Sequence, residues 1–384
     1  MDPLLCQARR SISQRQVWRL CQTEGQGLCQ NRRSGCVPGP AAGPHLLIMV
    51  RSLYYLVPVL GGYAATSYYL LKNPHILQKR KRLAFHCRHI SHRGGAGEKI
   101  ENTMEAFDNA VTHHTDLLEL DCHMTKDGCV VVSHDGNLLR QTGHDVNIKD
   151  VTYEELPPYQ EHLEVTFFPG HISSGTDHSI PLLEEVFKRY PDKPINVEIK
   201  EDSDDLIRKV SELVKKYQRM ERTIWASTSD KVMKKCRKAN PEMPFMFTPR
   251  RGVILLLLYY TGLLPFVDLP ESVVETYMPS LINRTYFPSH SLMRSRFLVY
   301  LQDKLIMRKS LFQHLQARGI QVYLWVLNQD SDFRRALDCG VTGVMTDYPS
   351  KLRTFLQEYD GEQRTRGAEA PAASSGGEQQ RTHM

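Results

Sequence analysis

Two histidines, His92 and His134, bracket a short stretch of the chain, and two acids, Glu119 and Asp121, lie between them. Imidazole exchanges protons near neutral pH. Paired carboxylates repel, and a divalent cation relieves that repulsion. The acids sit in a run that alternates. If 117–122 is a strand, Leu118, Leu120 and Cys122 face one way and Glu119, Asp121 and His123 the other. Residues 194–200 repeat the device, with Ile195, Val197 and Ile199 opposed to Asn196, Glu198 and Lys200. One such strand alone reads equally well as a solvent-facing edge. Two of them point to strand ends converging on a polar site. Glu119, Asp121 and Glu198 then form a hard-oxygen set suited to Ca²⁺ or Mg²⁺, and no Cys/His spacing competes for zinc.

His92-Arg93-Gly94-Gly95 reads as a strand end that turns sharply, with glycines that let a ligand approach the backbone. The planar fork of Arg93 suits phosphate. Asn102, with Glu105 three residues on, is expected to cap the next helix. His134-Asp135 follows the apolar run 130–132 and puts a second imidazole at another strand end. Two imidazoles, a carboxylate trio and a phosphate-seeking arginine together describe phosphodiester cleavage by general acid and base.

In order, His-Arg-Gly (92–94), Glu-Asn-Thr (101–103), Glu-x-Asp (119–121), Thr-x-Asp-Gly (125–128), His-Asp (134–135), Glu-x-Lys (198–200), Trp325 and Thr-Asp-Tyr-Pro (346–349) resemble the glycerophosphodiester phosphodiesterase family. The resemblance spans roughly 88–357. Ile100 stands where a proline commonly precedes Glu-Asn-Thr, which alters no chemical group. The resemblance implies a (β/α)₈ barrel, an α/β fold, with one divalent ion held by Glu119, Asp121 and Glu198. It implies His92 and His134 as the acid/base pair; which of them is the base the resemblance leaves open, and His92 is assigned as base and His134 as acid. Arg93 and Lys200 are the implied phosphate contacts. Trp325 is expected as a substrate platform at the mouth, its rival role being core filler. Similarity to the membrane-anchored animal branch implies a lysophospholipase D reaction on lysophosphatidylcholine or N-acyl lysophosphatidylethanolamine. The alternatives are a phosphodiesterase for deacylated glycerophosphocholine or glycerophosphoinositol, and a catalytically silent membrane scaffold.

Around the barrel the chain divides by composition. Residues 1–48, with four of the nine cysteines and a Gly/Pro patch, are expected to be an unfolded extension. The uncharged stretch 53–71 is long enough for a transmembrane helix, and a basic linker, 72–87, follows it. With a start at Met49 only Arg51 precedes the stretch, and that asymmetry puts the barrel on the cytoplasmic side; with residues 1–48 present both flanks are basic. The expected location is an intracellular membrane, endoplasmic reticulum or perinuclear, with membrane lipids and a lysophospholipid as partners. The cysteines include no CxxC and fit a reducing compartment. A net charge of +6 forms no stripe for nucleic acid. The uncharged run 252–267 is expected to be a hydrophobic insertion that touches the membrane, since a single crossing there would split the barrel. Residues 360–384 are expected to be a disordered tail.

Overall fold

The computed structural model describes residues 44–285 and 294–369. The chain divides into two units, Met1–Pro58 and Val59–Met384. Helix α1 (Pro44–Lys72) begins in the first, and every other described element belongs to the second. Most of the expected N-terminal extension lies outside the described residues.

The second unit is built on parallel strands. These are β1 (His89–Ser91), β2 (Leu117–Met124), β6 (Ile195–Ile199), β7 (Thr223–Ala226), β8 (Val273–Tyr277), β9 (Gln321–Trp325) and β10 (Gly343–Thr346). Between β2 and β6 lie β3 (Val130–Val132), which pairs antiparallel with β2, a hairpin of β4 (His162–Glu164) and β5 (Ile172–Ser174), and two helices, α3 (Leu139–Thr142) and α4 (Leu183–Arg189). The parallel order is β7-β6-β2-β1-β10-β9-β8. Its two open edges meet through a strand only two residues long. Phe245 bridges Trp225 of β7, and Met246 bridges Val273 of β8, both in parallel. That makes eight strands and closes the barrel, as the alternating pattern predicts.

The remaining helices are α2 (Met104–Thr112), α5 (Asp204–Lys216), α6 (Asp230–Ala239), α7 (Pro249–Tyr260), α8 (Arg296–Ile306), α9 (Lys309–Ala317), α10 (Asp330–Asp338) and, after the last strand, α11 (Pro349–Glu369). Local chemistry fixes their starts. Thr103, Ser203 and Ser229 cap α2, α5 and α6, each side-chain oxygen accepting a backbone N–H one turn on. Asn102 is therefore not the cap expected for α2; its side chain is used elsewhere. Outward residues of the strands pack under these helices, Leu118, Leu120, Cys122, Val197 and Ile199 among them. Inward residues at the barrel's floor, Ile90, Leu117, Ile224, Val273, Tyr323 and Met345, form a separate apolar plug. Above that plug the inward positions turn polar.

Three expectations change. The run 252–267 is not an addition to the barrel: α7 is the helix that returns from the fifth strand to β8, with Leu255 buried and Leu256, Leu258 and Tyr259 packed on the core. Its lack of charge could not distinguish a half-buried return helix from an inserted one. The segment 72–87 is no free linker. Gln78 donates to Pro265 O, Lys81 Nζ to Glu271 O, and the Cys87 N–H to Gln321 Oε1, whose Nε2 donates to Phe85 O. The tail begins later than 360, because α11 runs on through Glu369 and Asp360 accepts both guanidinium nitrogens of Arg88.

Among the described residues no helix is long and apolar enough to cross a membrane. The expected transmembrane stretch 53–71 lies inside α1, and length is not what it lacks. Pro58, two glycines, Thr66, Ser67 and five tyrosines dilute its apolar character. Toward its C-terminal end α1 packs on the turn after α7. The Tyr63 hydroxyl donates to Thr261 O and the Ser67 hydroxyl to Gly262 O, each at 2.6 Å. Gly262 has φ +76°, and a Cβ there would lie 2.7 Å from Ser67 Oγ, so the approach requires glycine.

Candidate active site

The polar site lies where the parallel strands end, the face on which barrel loops converge. Register brings the acids together. Asp121 of β2 lies beside Glu198 of β6, and Glu119 beside Asn196. One oxygen from each of Glu119, Asp121 and Glu198 falls within 4.8 Å of the other two. Burial, reinforced by Asp121 and Glu198, pushes the Glu119 carboxyl well above the usual range. Its Oε2 accepts the Arg93 N–H at 2.8 Å. Asp121 is also buried, yet Lys200, His134 and Arg93 hold it far below its ordinary value.

The donor set suits a hard divalent cation. Three carboxyl groups supply hard oxygen donors, and two buried amide oxygens, of Asn102 and Asn196, have no hydrogen-bond partner among the described residues. Asn102 is held at φ +59°, a left-handed conformation that asparagine tolerates better than most residues, and its Nδ2 donates to Asp121 Oδ2, 3.0 Å away.

Both histidines are anchored through Nδ1 to a carboxylate. His92 Nδ1 lies 2.7 Å from Asp347 Oδ1, and Asp347 Oδ2 accepts from Asn328 Nδ2 at 2.8 Å. Burial, and then Arg93, keeps the His92 pKa below the ordinary imidazole value against the pull of Asp347. That shift favours the neutral ring, and the contact with Asp347 favours the tautomer whose Nδ1–H donates, which leaves Nε2 as the ring's proton acceptor. His134 Nδ1 lies 2.6 Å from Asp135 Oδ1. Although burial works the other way, hydrogen bonds from His134 and Arg140 hold Asp135 below its usual range. The backbone of His134 is tied as well: its carbonyl lies 3.2 Å from His123 Nε2, and His123 Nδ1 lies 2.6 Å from Glu201.

The two residues expected to meet phosphate are both engaged by acids. Arg93, at φ +51°, is buried, and its Nη1 donates to Glu101 Oε2 at 3.0 Å. Its Nε, without a hydrogen-bond partner among the described residues, lies 3.6 Å from Asp121. Glu101 also accepts from Arg140 and Gln141. Arg93 and Arg140 outweigh burial and bring its pKa down to about 2. Lys200 Nζ bridges Asp121 and Glu198 at 2.9 and 2.8 Å.

An aromatic row leads outward from His92. Phe167 lies edge-on to His92 and to Trp325, with centroids 5.5 and 5.9 Å away, and Trp325 in turn meets Tyr277 at 6.2 Å. Trp325, half-buried at the end of β9, also packs against the apolar plug below. Phe167 was not foreseen. It sits in the turn of the β4–β5 hairpin, and a polar, Pro-rich loop gave no periodicity by which to place it. Asp347, Asp135, Asn102 and Glu101 lay within motifs singled out above, but their contacts join positions as far apart as 92 and 347.

A sequence profile described as the glycerophosphoryl diester phosphodiesterase family matches residues 92–351. The chain belongs to this family. As a glycerophosphoryl diester phosphodiesterase family member it is a phosphoric diester hydrolase. A human protein named lysophospholipase D GDPD1 is 53% identical over 307 residues, covering 80% of this chain and 98% of that relative. Another human protein, lysophospholipase D GDPD3, is 49% identical over 313 residues, covering 82% and 98%. The family fold recurs in solved structures. A glycerophosphodiester phosphodiesterase described as putative, from Galdieria sulphuraria, superposes with a TM-score of 0.51 at 19% identity, over 72% of this chain and 100% of that one. One from Silicibacter pomeroyi gives 0.51 at 20% identity, over 74% and 96%.

Proposed function

We propose that this phosphodiesterase is a metal-dependent lysophospholipase D that converts lysophosphatidylcholine, or an N-acyl lysophosphatidylethanolamine, to lysophosphatidic acid and the headgroup alcohol. The observation that carries the chemistry is the pair of carboxylate-anchored histidines beside one acid trio. Supporting the lipid substrate are the relatives named lysophospholipase D at about half identity and the apolar row from Phe167 to Tyr277.

His92, neutral and held by Asp347, accepts the proton of the free glycerol hydroxyl through Nε2 as that oxygen attacks phosphorus. The bond from phosphorus to the headgroup oxygen breaks, and His134, held by Asp135, gives that oxygen its proton. Water then opens the cyclic phosphate with the two histidines in exchanged roles, so that one water is consumed overall. Ca²⁺ or Mg²⁺ bound by Glu119, Asp121 and Glu198 supplies positive charge for the phosphoryl oxygens. Arg93 Nε and the Lys200 ammonium lie beside the same carboxylates and add to that field.

For location we propose an intracellular membrane surface, endoplasmic reticulum or perinuclear, with the barrel in a reducing, cytoplasmic milieu. The described cysteines, Cys87, Cys122, Cys129, Cys236 and Cys339, are all free thiols, and the basic run 79–82 suits anionic headgroups.

The test is a panel assay of the purified chain on lysophosphatidylcholine and glycerophosphocholine, each with Ca²⁺, Mg²⁺ or chelator. Choline release from the lysolipid in preference to the deacylated diester is expected. The reverse preference would make the enzyme a phosphodiesterase for water-soluble diesters, and release from neither would leave a silent scaffold.

A further inference from the structure

Between β8 and β9 a barrel needs one return helix, and α9 is that helix, with Leu311, Phe312 and Leu315 buried. α8 is extra. None of its residues is buried. Its half-buried side is mixed: beside Leu298, Val299 and Ile306, Gln302 accepts the Tyr277 hydroxyl at 2.8 Å and Asp303 pairs with Arg335. Its outward face is apolar, since Phe297, Tyr300, Leu301 and Leu305 are all exposed, Phe297 at 71%. Their spacing places them on one side of the helix. A helix that leaves four large apolar side chains on its exposed side carries more apolar surface than water selects.

The apolar surface extends beyond α8. The Tyr260 hydroxyl of α7 donates to Leu305 O at 2.9 Å, and Val253, Leu257 and Tyr260 are exposed on α7. Past the end of α7, exposed Phe266 stacks on Tyr63 of α1 with centroids 6.4 Å apart. Charge around the face is one-sided. Arg294, Arg296, Lys304, Arg308 and Lys309 are exposed along 294–309, whereas the single acid there, Asp303, is half-buried and held by Arg335. Apolar residues rimmed by cations match the acyl and headgroup layers of an anionic lipid surface. The position matters too, because Tyr277 ties α8 to the aromatic row that ends at His92.

We propose that α8, with the exposed side of α7, docks the active-site mouth on an anionic bilayer surface, so that a lysolipid passes from the acyl layer along Tyr277, Trp325 and Phe167 to the histidines. This rests on the lipid substrate proposed above. It is tested with the full chain in two ways. In Phe297→Trp, vesicles of phosphatidylcholine with about a quarter phosphatidylserine, brominated on the acyl chains, quench emission beyond that of the parent chain, and high salt weakens the effect. In Phe297→Glu with Leu301→Glu, choline release from vesicle-borne lysophosphatidylcholine falls about tenfold or more. Release from monomeric hexanoyl lysophosphatidylcholine stays within about twofold, as for a surface change.

No added quenching in the tryptophan variant overturns the proposal whatever the double variant does, and a mass of two chains in that case makes the face a self-interface. Equal losses on both substrates, or no loss on either, also overturn it. Quenching by lipid in a protein inactive on both lysolipids would instead sink the substrate assignment and leave the docking face standing.

Discussion

Asp347→Asn removes one charge and no volume, and it isolates what the carboxylate does for His92. Asp347 is almost wholly buried, and its two oxygens face two donors, His92 Nδ1–H and Asn328 Nδ2–H. An amide has one acceptor oxygen. Asn328 cannot reverse to accommodate the new amide nitrogen, because its own Oδ1 already accepts from the Asp347 N–H and the Thr346 hydroxyl. The asparagine oxygen therefore turns to Asn328 and its NH₂ to His92, whose Nδ1 must become the acceptor. The imidazole proton moves to Nε2, the atom needed to take the substrate's proton. A positioned base contributes on the order of 10²–10⁴ in rate, or about 3–5 kcal/mol at 1.36 kcal/mol per decade. The expected result is a fall of that size in kcat for lysophosphatidylcholine, with KM little changed. Turnover is followed by choline release, and folding by thermal melting. A variant that melts near the parent temperature and turns over within about fivefold of it would refute the assignment of His92 as a base oriented by Asp347.

The acid trio predicts that chelation stops turnover reversibly and that Glu119→Gln, Asp121→Asn and Glu198→Gln each weaken metal affinity by more than roughly tenfold; full rate in excess chelator would dismiss the metal reading. Phe167→Ala removes the ring between His92 and Trp325, and an edge-on aromatic contact of about 0.5–1.5 kcal/mol sets the expected loss in kcat/KM for lysolipid at roughly two- to tenfold. Unchanged kcat/KM would remove Phe167 from the substrate path. His89 is buried, and desolvation, followed by Arg353 and His113, lowers its pKa to about 3. Its folded pKa lies below the unfolded value, so the unfolded chain binds the extra proton: His89 costs no stability above about pH 6.5, and stability falls as pH drops toward the folded value. Between pH 6.5 and 5 the loss is about 2 kcal/mol, and denaturant titration of His89→Gln should show that much less acid sensitivity. Parallel curves for parent and variant would show that the effect belongs to other groups.

The acid trio and both histidines were legible in the sequence because a barrel strand buries both its faces, and a carboxylate at an inward position is conspicuous among Leu, Val and Ile. What stayed hidden depends on closure. The partner of His92 lies 255 positions away, and no local pattern links Ser91 to the end of β10. Asn102 looked like a cap because Asn and Thr both serve there, and Thr103, one residue on, took the place. Arg93 and Lys200 advertised phosphate through their charge, whereas their depth pairs them with Glu101, Asp121 and Glu198. α7 drew attention by its leucines and proved to be a return helix. α8, with charges interspersed, did not stand out, because outward apolar residues show only once the inward side is known.

The hydrogen bonds from Gln78 to Cys87 fasten the chain between α1 and β1 against the underside of the barrel. Phe85 and Cys87 join the floor plug, and the Lys81 N–H donates to Arg318 O. A catalytic head on a slack tether can sweep out a volume and tumble within it. Here the part of α1 from Val59 onward belongs to the same compact unit as the barrel and is hydrogen-bonded to it, so whatever seats that part of the helix bears on the tilt of the mouth. A fragment cut at the first family motif would lose its cork along with its leash.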